Sequence, residues 1–209
     1  RELSYMGASV LHEEAIFPVK EKNIPIHILN TNRPQDKGTI IQERTTTKMP
    51  YAITGIAGKK DFLSIYIYKK HMSNEVGYIR RALSILENYN VSVEHIPSGI
   101  DSFSIVIAKN EVEDCLYEML ARMKAELKPD KMDVLEDLAL ISTVGKNMSD
   151  KPGTSGKLFA ALGDARINIR MIAQGSDEIN ITVGVKCEDF KRTIQVIYDA
   201  FVTKEDINE

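Results

Sequence analysis

The sequence predicts an α+β fold made of two βαββαβ units, and three observations predict it. A short motif occurs twice, Met72-Ser73-Asn74-Glu75-Val76-Gly77 returning as Met148-Ser149-Asp150-Lys151-Pro152-Gly153, 76 residues later. Around each copy, apolar alternation of period two gives way to apolar spacing of three and four, the change from strand to helix. The offset then holds without a gap, pairing Val91 with Ile167, Val93 with Ile169, Gly99 with Gly175, Asp101 with Asp177 and Ile105 with Ile181. The chain therefore carries an internal repeat.

Composition narrows the class. A chain of 209 residues can bury the core of one large domain or two small ones. Its 43% hydrophobic and 27% charged residues are ordinary for a globular protein. A formal net charge of −3 argues against nucleic acid or an anionic membrane as partner. No apolar run approaches the roughly 18 residues that span a bilayer, and the start lacks the marks of a signal peptide. Cys115 and Cys187 have no metal-type spacing and fit a reduced, cytoplasmic setting. His12, His27, His71 and His95 form no ligand set, so no metal site is expected. The chain opens without methionine in a helix-like stretch and reads as a segment of something longer.

Taken in order, residues 8–22 show helical spacing with Pro18 as a break or kink. Residues 24–29 alternate as a strand, 30–38 form a polar loop, 39–42 are extended, and 44–50 read as a linker. A strand at 52–57 ends at Gly58-Lys59-Lys60. Strand 62–68 then leads into the first motif, followed by a helix burying Val76, Ile79, Ala82, Leu83, Leu86 and Tyr89. Strands 91–96 and 103–108 come next, then a helix with Val112, Cys115, Leu116, Met119, Leu120 and Met123, and a short strand at 132–135. The same grammar restarts with strand 138–144, the second motif, a helix through Leu158 and Leu162, strands 167–173 and 179–185, and a helix through Ile194, Ile197 and Phe201. Residues 202–209 are too short and charged for a fourth strand. Strand 52–57 is therefore expected to fold back and complete the second sheet, inserting the first unit into the second and leaving no lone edge. The element order is that of the ferredoxin-like split βαβ.

Each motif is a strand-to-helix turn, which offers unbonded N–H groups and a helix dipole to a small anion such as a carboxylate. Glycine at both turns also serves tight geometry alone, and Asp101 and Asp177 fit ordinary turn chemistry. The two units differ at matching positions of their second strands. Ser92 and Glu94 share one strand face, and Glu94 can accept from an ammonium; the second unit has Asn168 and Arg170 instead. Residues 72–79 are therefore expected to be the principal turn for a ligand with an ammonium, and 148–155 its structural or auxiliary partner.

Two such units with a glycine-bearing turn resemble ACT domains, which sense amino acids; Asp150-Lys151-Pro152-Gly153 fits that pattern well, and the first turn keeps its glycine. The leading stretches Gly7-Ala8-Ser9-Val10-Leu11-His12, Ile24-Pro25-Ile26-His27-Ile28, Asn30-Thr31-Asn32 and Gly38-Thr39-Ile40-Ile41 resemble the join between the kinase and regulatory halves of an aspartokinase. That family transfers the γ-phosphoryl group of ATP to the β-carboxylate of aspartate. The resemblance implies a tail of an α/β kinase domain at 1–43, a linker at 44–50, one ACT unit at 61–136, and a second from 51–60 plus 137–209. It places the effector on Met72, Ser73, Asn74, Gly77, Tyr78, Ile79, Ser92, Val93, Glu94 and Ser98. Asp101 or Glu75 could accept the ε-ammonium of a lysine effector. Thr154, Ser155, Asn168 and Ile169 form a second effector site or an interface. Ser9 and Val10 lie at the edge of a nucleotide site, without the cationic lysine that many members carry there. No catalytic residue falls in this segment, and ATP with Mg belongs to the parent enzyme. The expected partners are lysine or threonine and a second copy of the chain, paired side by side through the ACT units. The alternative is a stand-alone tandem-ACT regulatory subunit without kinase activity. An RNA-binding use of the same element order is disfavoured, because strands 91–96 and 167–173 hold no aromatic for base stacking.

Overall fold

Two long antiparallel strands, Gly55–Tyr68 and Lys131–Val144, run through the middle of the molecule and belong to both halves of it. The structure, a computed structural model, describes residues 2–7, 11, 13–42, 52–149 and 151–202. In chain order the elements are α1 (Glu2–Tyr5), α2 (Glu13–Glu21), β1 (Ile26–Ile28), β2 (Thr39–Ile41), β3 (Gly55–Tyr68), α3 (Tyr78–Asn88), β4 (Ser102–Ala108), α4 (Leu116–Leu127), β5 (Lys131–Val144), α5 (Thr154–Asp164), β6 (Met171–Ala173), β7 (Asn180–Val185) and α6 (Phe190–Phe201). The large sheet has the order β4-β3-β5-β7-β6, and β1 pairs with β2 apart from it. No helix among the described residues is long and apolar enough to cross a membrane.

The strand expected at 52–57 does pair with the second unit, Gly55 opposite Val144 and Lys59 opposite Leu140. It also continues without interruption into the first strand of the first unit, as the strand at 132–135 continues into that at 138–144. The register shows why four short strands were expected. Between the Lys59–Leu140 and Phe62–Leu138 pairs β3 has one residue too many, and between Phe62–Leu138 and Ser64–Leu135 β5 has one too many. The extra residues fall at Lys60-Asp61 and Glu136-Asp137, polar pairs that read as gaps. They are β-bulges, which keep the strand going while shifting its register. Asp61 accordingly has φ +66°, and Asp61 and Asp137 are themselves 76 residues apart.

Alternation sorts the side chains into layers. Leu63, Ile65 and Ile67 of β3 and Phe103, Ile105 and Ile107 of β4 pack against Ala82, Ile85 and Leu86 of α3 and Met119 and Met123 of α4. Ala139, Ile141, Ile181, Val183 and Val185 pack in the same way against Leu158, Leu162, Ile197 and Phe201. The intervening residues Phe62, Val106, Leu138 and Leu140 form a third cluster on the opposite face, covered by Leu3 of α1 and by Met6 just after it. Each such side chain is worth about 1.5–3 kcal/mol when fully buried, so this short helix is held firmly at the seam between the units.

Five further expectations need correction. Val76, expected on the buried face of the first helix, precedes that helix and is 94% exposed. Residues 91–96 are not a regular strand: Glu94 N–H donates to Val106 O and Val106 N–H to His95 O, each at 2.9 Å. Two residues thus oppose one, a bulge of the kind common at sheet edges. The strand expected at 167–173 is regular only over Met171–Ala173. The second helix of the first unit starts at Leu116, later than its apolar spacing implied. Pro18 sits inside a helix that continues to Glu21, with no break.

Candidate functional site

After β3 the chain makes a 3-10 turn over Met72–Asn74 and then opens α3 at Gly77, which has φ +77°. A left-handed residue is needed there to swing the chain from turn to helix, and glycine adopts it without strain. Glu75 N–H donates to Met72 O at 2.9 Å and Tyr78 N–H to Glu75 O at 3.2 Å, closing the turn. Gly77 has no side chain with which to cap α3, which leaves the helix-start N–H groups beyond Tyr78, and the dipole, to a ligand. The second turn repeats this design, with Gly153 at φ +91° and α5 likewise uncapped by its N-cap side chain.

Around the first turn the charges are already engaged. Glu75 is ion-paired with Arg81, and its other oxygen lies 4.0 Å from the Lys69 ammonium. Lys69 Nζ donates to Lys128 O at 3.0 Å, Lys70 N–H donates to Asp130 Oδ2 at 2.7 Å, and Lys69 N–H donates to Asp101 O at 2.9 Å. These bonds tie the turn to the loop before β4 and to the loop before β5. Tyr78 lies beneath, 2% exposed, its ring edge-on to Phe103 with centroids 6.1 Å apart. Its hydroxyl is buried without a hydrogen-bond partner. Burial, followed by the nearby Glu75 charge, pushes the Tyr78 phenol up to about 12.

The predicted residues divide into two groups. Met72, Ser73, Asn74, Gly77, Tyr78 and Ile79 form the turn, with Asp101 and Ser98 at the same end of the sheet. Met72 and Tyr78 are buried in the first core, so they can meet a ligand through main-chain groups alone. Ser92, Val93 and Glu94 lie elsewhere. Glu94 is level with Val106, which pairs with Ser64, whereas the turn follows Tyr68, paired with Ser102. Four residues of strand separate them, about 13 Å at a strand's rise per residue. Val93 packs on the core under α3 and α4, while the bulge turns Glu94 towards the α1 face, where the Tyr5 hydroxyl donates to Glu94 Oε2 at 2.9 Å. Within one chain the carboxylate and the turn are not brought together.

In the second unit Thr154 is buried and donates its hydroxyl to Lys151 O at 3.0 Å. Asn168 is exposed and Ile169 half-buried on the second core. Arg170, the counterpart of Glu94, donates to Asp137 O at 2.9 Å. Ser9 and Val10 and the linker at 44–50 fall outside the described residues. Sequence reasoning misses Tyr5, Lys69 and Arg81, because they meet their partners across a fold contact or across the Gly77 turn, which no single element's periodicity spans.

A sheet of this order with a glycine-opened helix at the same place in each half defines a tandem ACT fold. The ACT domain family matches residues 141–201. Aspartokinase 3 of Bacillus subtilis is 40% identical over 203 residues, 96% of this chain and 44% of that protein. The crystal structure of Clostridium acetobutylicum aspartate kinase superimposes with a TM-score of 0.91 at 50% identity, over 96% of this chain and 46% of that one. That of E. coli aspartokinase III in complex with lysine and aspartate has a TM-score of 0.77 at 23% identity, over 96% of this chain and 45% of that one, a likeness of fold. The chain spans less than half the length of each. These matches identify it as a regulatory ACT region of the aspartokinase family.

Proposed function

We propose that this region binds a feedback amino acid between two copies of the chain and passes that event to an attached kinase domain that phosphorylates aspartate with ATP and Mg. The observation that carries the proposal is the separation of Glu94 from the turn. A two-fold pairing of the 91–98 edges reverses the direction of the partner's edge, which brings one copy's Ser92-Val93-Glu94 stretch towards the other copy's α3. The bulged edge is suited to this, since it leaves main-chain groups unpaired, and apolar Ile100, 78% exposed, and Val76, 94% exposed, flank it. The effector's carboxylate then lies on the first N–H groups of α3, and its ammonium on the partner's edge, neutralised by Glu94.

Lysine is the preferred effector, with threonine as the competitor. Glu75 is engaged by Arg81 and Lys69, which leaves Asp101 as the acceptor for an ε-ammonium. The cytoplasm is the compartment that fits such an enzyme. The first ACT unit is taken as residues 61–136 and the second as 51–60 plus 137–209, a division that falls at the two bulges.

The stand-alone regulatory subunit is the second reading. Against it, the stretch 13–42 exposes Ile24, Leu29 and Ile40, an apolar surface that suits a face of a larger α/β domain. Calorimetric titration of the intact protein with lysine, threonine and methionine, alongside sedimentation, tests the proposal. Micromolar to millimolar binding of one of them by a dimer is expected, reduced about tenfold or more in Glu94→Gln. Binding of none at millimolar concentration, or full binding by a monomer, overturns it.

A further inference from the structure

Helix α1 touches both units. Glu2 Oε2 accepts from Asn180 Nδ2 at 3.0 Å at the start of β7 in the second unit. Leu3 and Met6 sit on the seam, and Gly7 approaches so closely that a Cβ there would lie 3.1 Å from Gly58 O. At the first unit the contact is with the bulge itself, through Tyr5 and Glu94. The Lys59 ammonium lies 4.9 Å over the Tyr5 ring and holds it in place by attraction to the aromatic face.

We infer that Tyr5 is a positioning residue that couples effector binding at Glu94 to α1 and the chain joined to it. The inference rests on the reading of Glu94 as the effector's ammonium partner. A single carboxylate carries one charge. An ammonium drawn to it weakens the acceptor strength left for the phenol, and the phenol in turn weakens the acceptor offered to the ammonium. The two donors therefore oppose each other, and by linkage the opposition is equal in both directions. Effector binding loosens α1 from the bulge while Glu2, Leu3 and Met6 keep it on the second unit and the seam. The first unit is thereby released to shift against α1, and the shift has the sign of a ligand-driven switch between two arrangements.

The test is Tyr5→Phe in the intact protein. Tyr5 is 44% exposed, and phenylalanine keeps the ring under Lys59, so the change removes the hydroxyl alone. Titration with lysine, and separately with threonine, is expected to show tighter binding than in the parent, by up to the roughly threefold to tenfold of one net hydrogen bond. Hydrogen exchange at residues 2–7 is expected to be faster in the effector-free variant and to change little on adding ligand. Unchanged or weaker binding in Tyr5→Phe, with Glu94→Gln still losing affinity, overturns the coupling and leaves the site standing. Unchanged binding in Glu94→Gln overturns the site and the coupling with it.

Discussion

The two glycine turns are built on one plan and differ in their electrostatics. Both follow a long strand, both open a helix at a left-handed glycine, and both bury a methionine, Met72 or Met148, in the core below. The first is braced by a carboxylate held between Arg81 and Lys69, and its unit presents Glu94 on a bulged edge. The second has Lys151-Pro152 in the turn and Arg170 where the first has Glu94, with the guanidinium spent on Asp137 O. A carboxylate ligand could be met by either helix start, but an amino acid has an ammonium as well. On the reading proposed above, Glu94 supplies that ammonium's counter-charge at a position where the second unit carries Arg170, and the two turns are then expected to differ in what they bind.

The comparison breaks most severely under charge reversal. Glu94→Arg makes the first unit like the second and is expected to lower effector affinity by about a hundredfold or more, since an attraction becomes a repulsion; equilibrium dialysis would show it. Next in size is the glycine pair. Gly77→Val and Gly153→Val each force a β-branched residue to positive φ and are expected to cost about 1–3 kcal/mol in denaturant melts. Only the Gly77 variant should also lose effector binding, and equal loss in both would show the turns to be equivalent.

Smaller effects sharpen the contrast. Glu75→Gln removes the brace between Arg81 and Lys69. Because those groups are partly exposed, the stability cost should stay below about 1 kcal/mol, while the freed Arg81 and Lys69 charges raise affinity for the effector's carboxylate a few-fold at low salt, a difference that shrinks as salt is raised. Tyr78→Phe deletes a buried hydroxyl that has no partner, so stability should be unchanged or higher by about 1 kcal/mol. The same residue gives a pH signature. Its folded phenol is raised to about 12 from 10.0, so the proton is held more tightly in the folded state. That contribution is fully present below pH 10 and is lost as pH rises towards 12. Parent protein should lose more stability than Tyr78→Phe across that window.

The repeat made much of the architecture readable. A 76-residue offset that survives through Val91, Gly99, Asp101 and Ile105 needs one fold used twice, and the shortage of strands in the second half pointed to residues 52–57. The continuity of β3 and β5 was hidden because Lys60-Asp61 and Glu136-Asp137 break the apolar alternation just where the bulges lie. The bulge at Glu94–His95 was hidden for the opposite reason: Val91, Val93 and Ile96 look like a strand, and one extra residue opposite Val106 is not a property of composition. The turns themselves were legible from glycine and the strand-to-helix change. The distance from Glu94 to the turn was not, since sequence order does not say that a strand entering the sheet from below presents its first residues at the far end.

The two strands that pass through both units leave no hinge between them. Bulges increase the local right-handed twist of a sheet, so Lys60-Asp61 and Glu136-Asp137 set the angle at which one half of the sheet meets the other. A rotation imposed on the first unit is delivered to the second as torsion of a shared ribbon. It follows that the chain should melt in a single calorimetric transition, and that the amides of β3 and β5 on either side of the bulges should exchange at one common, global rate.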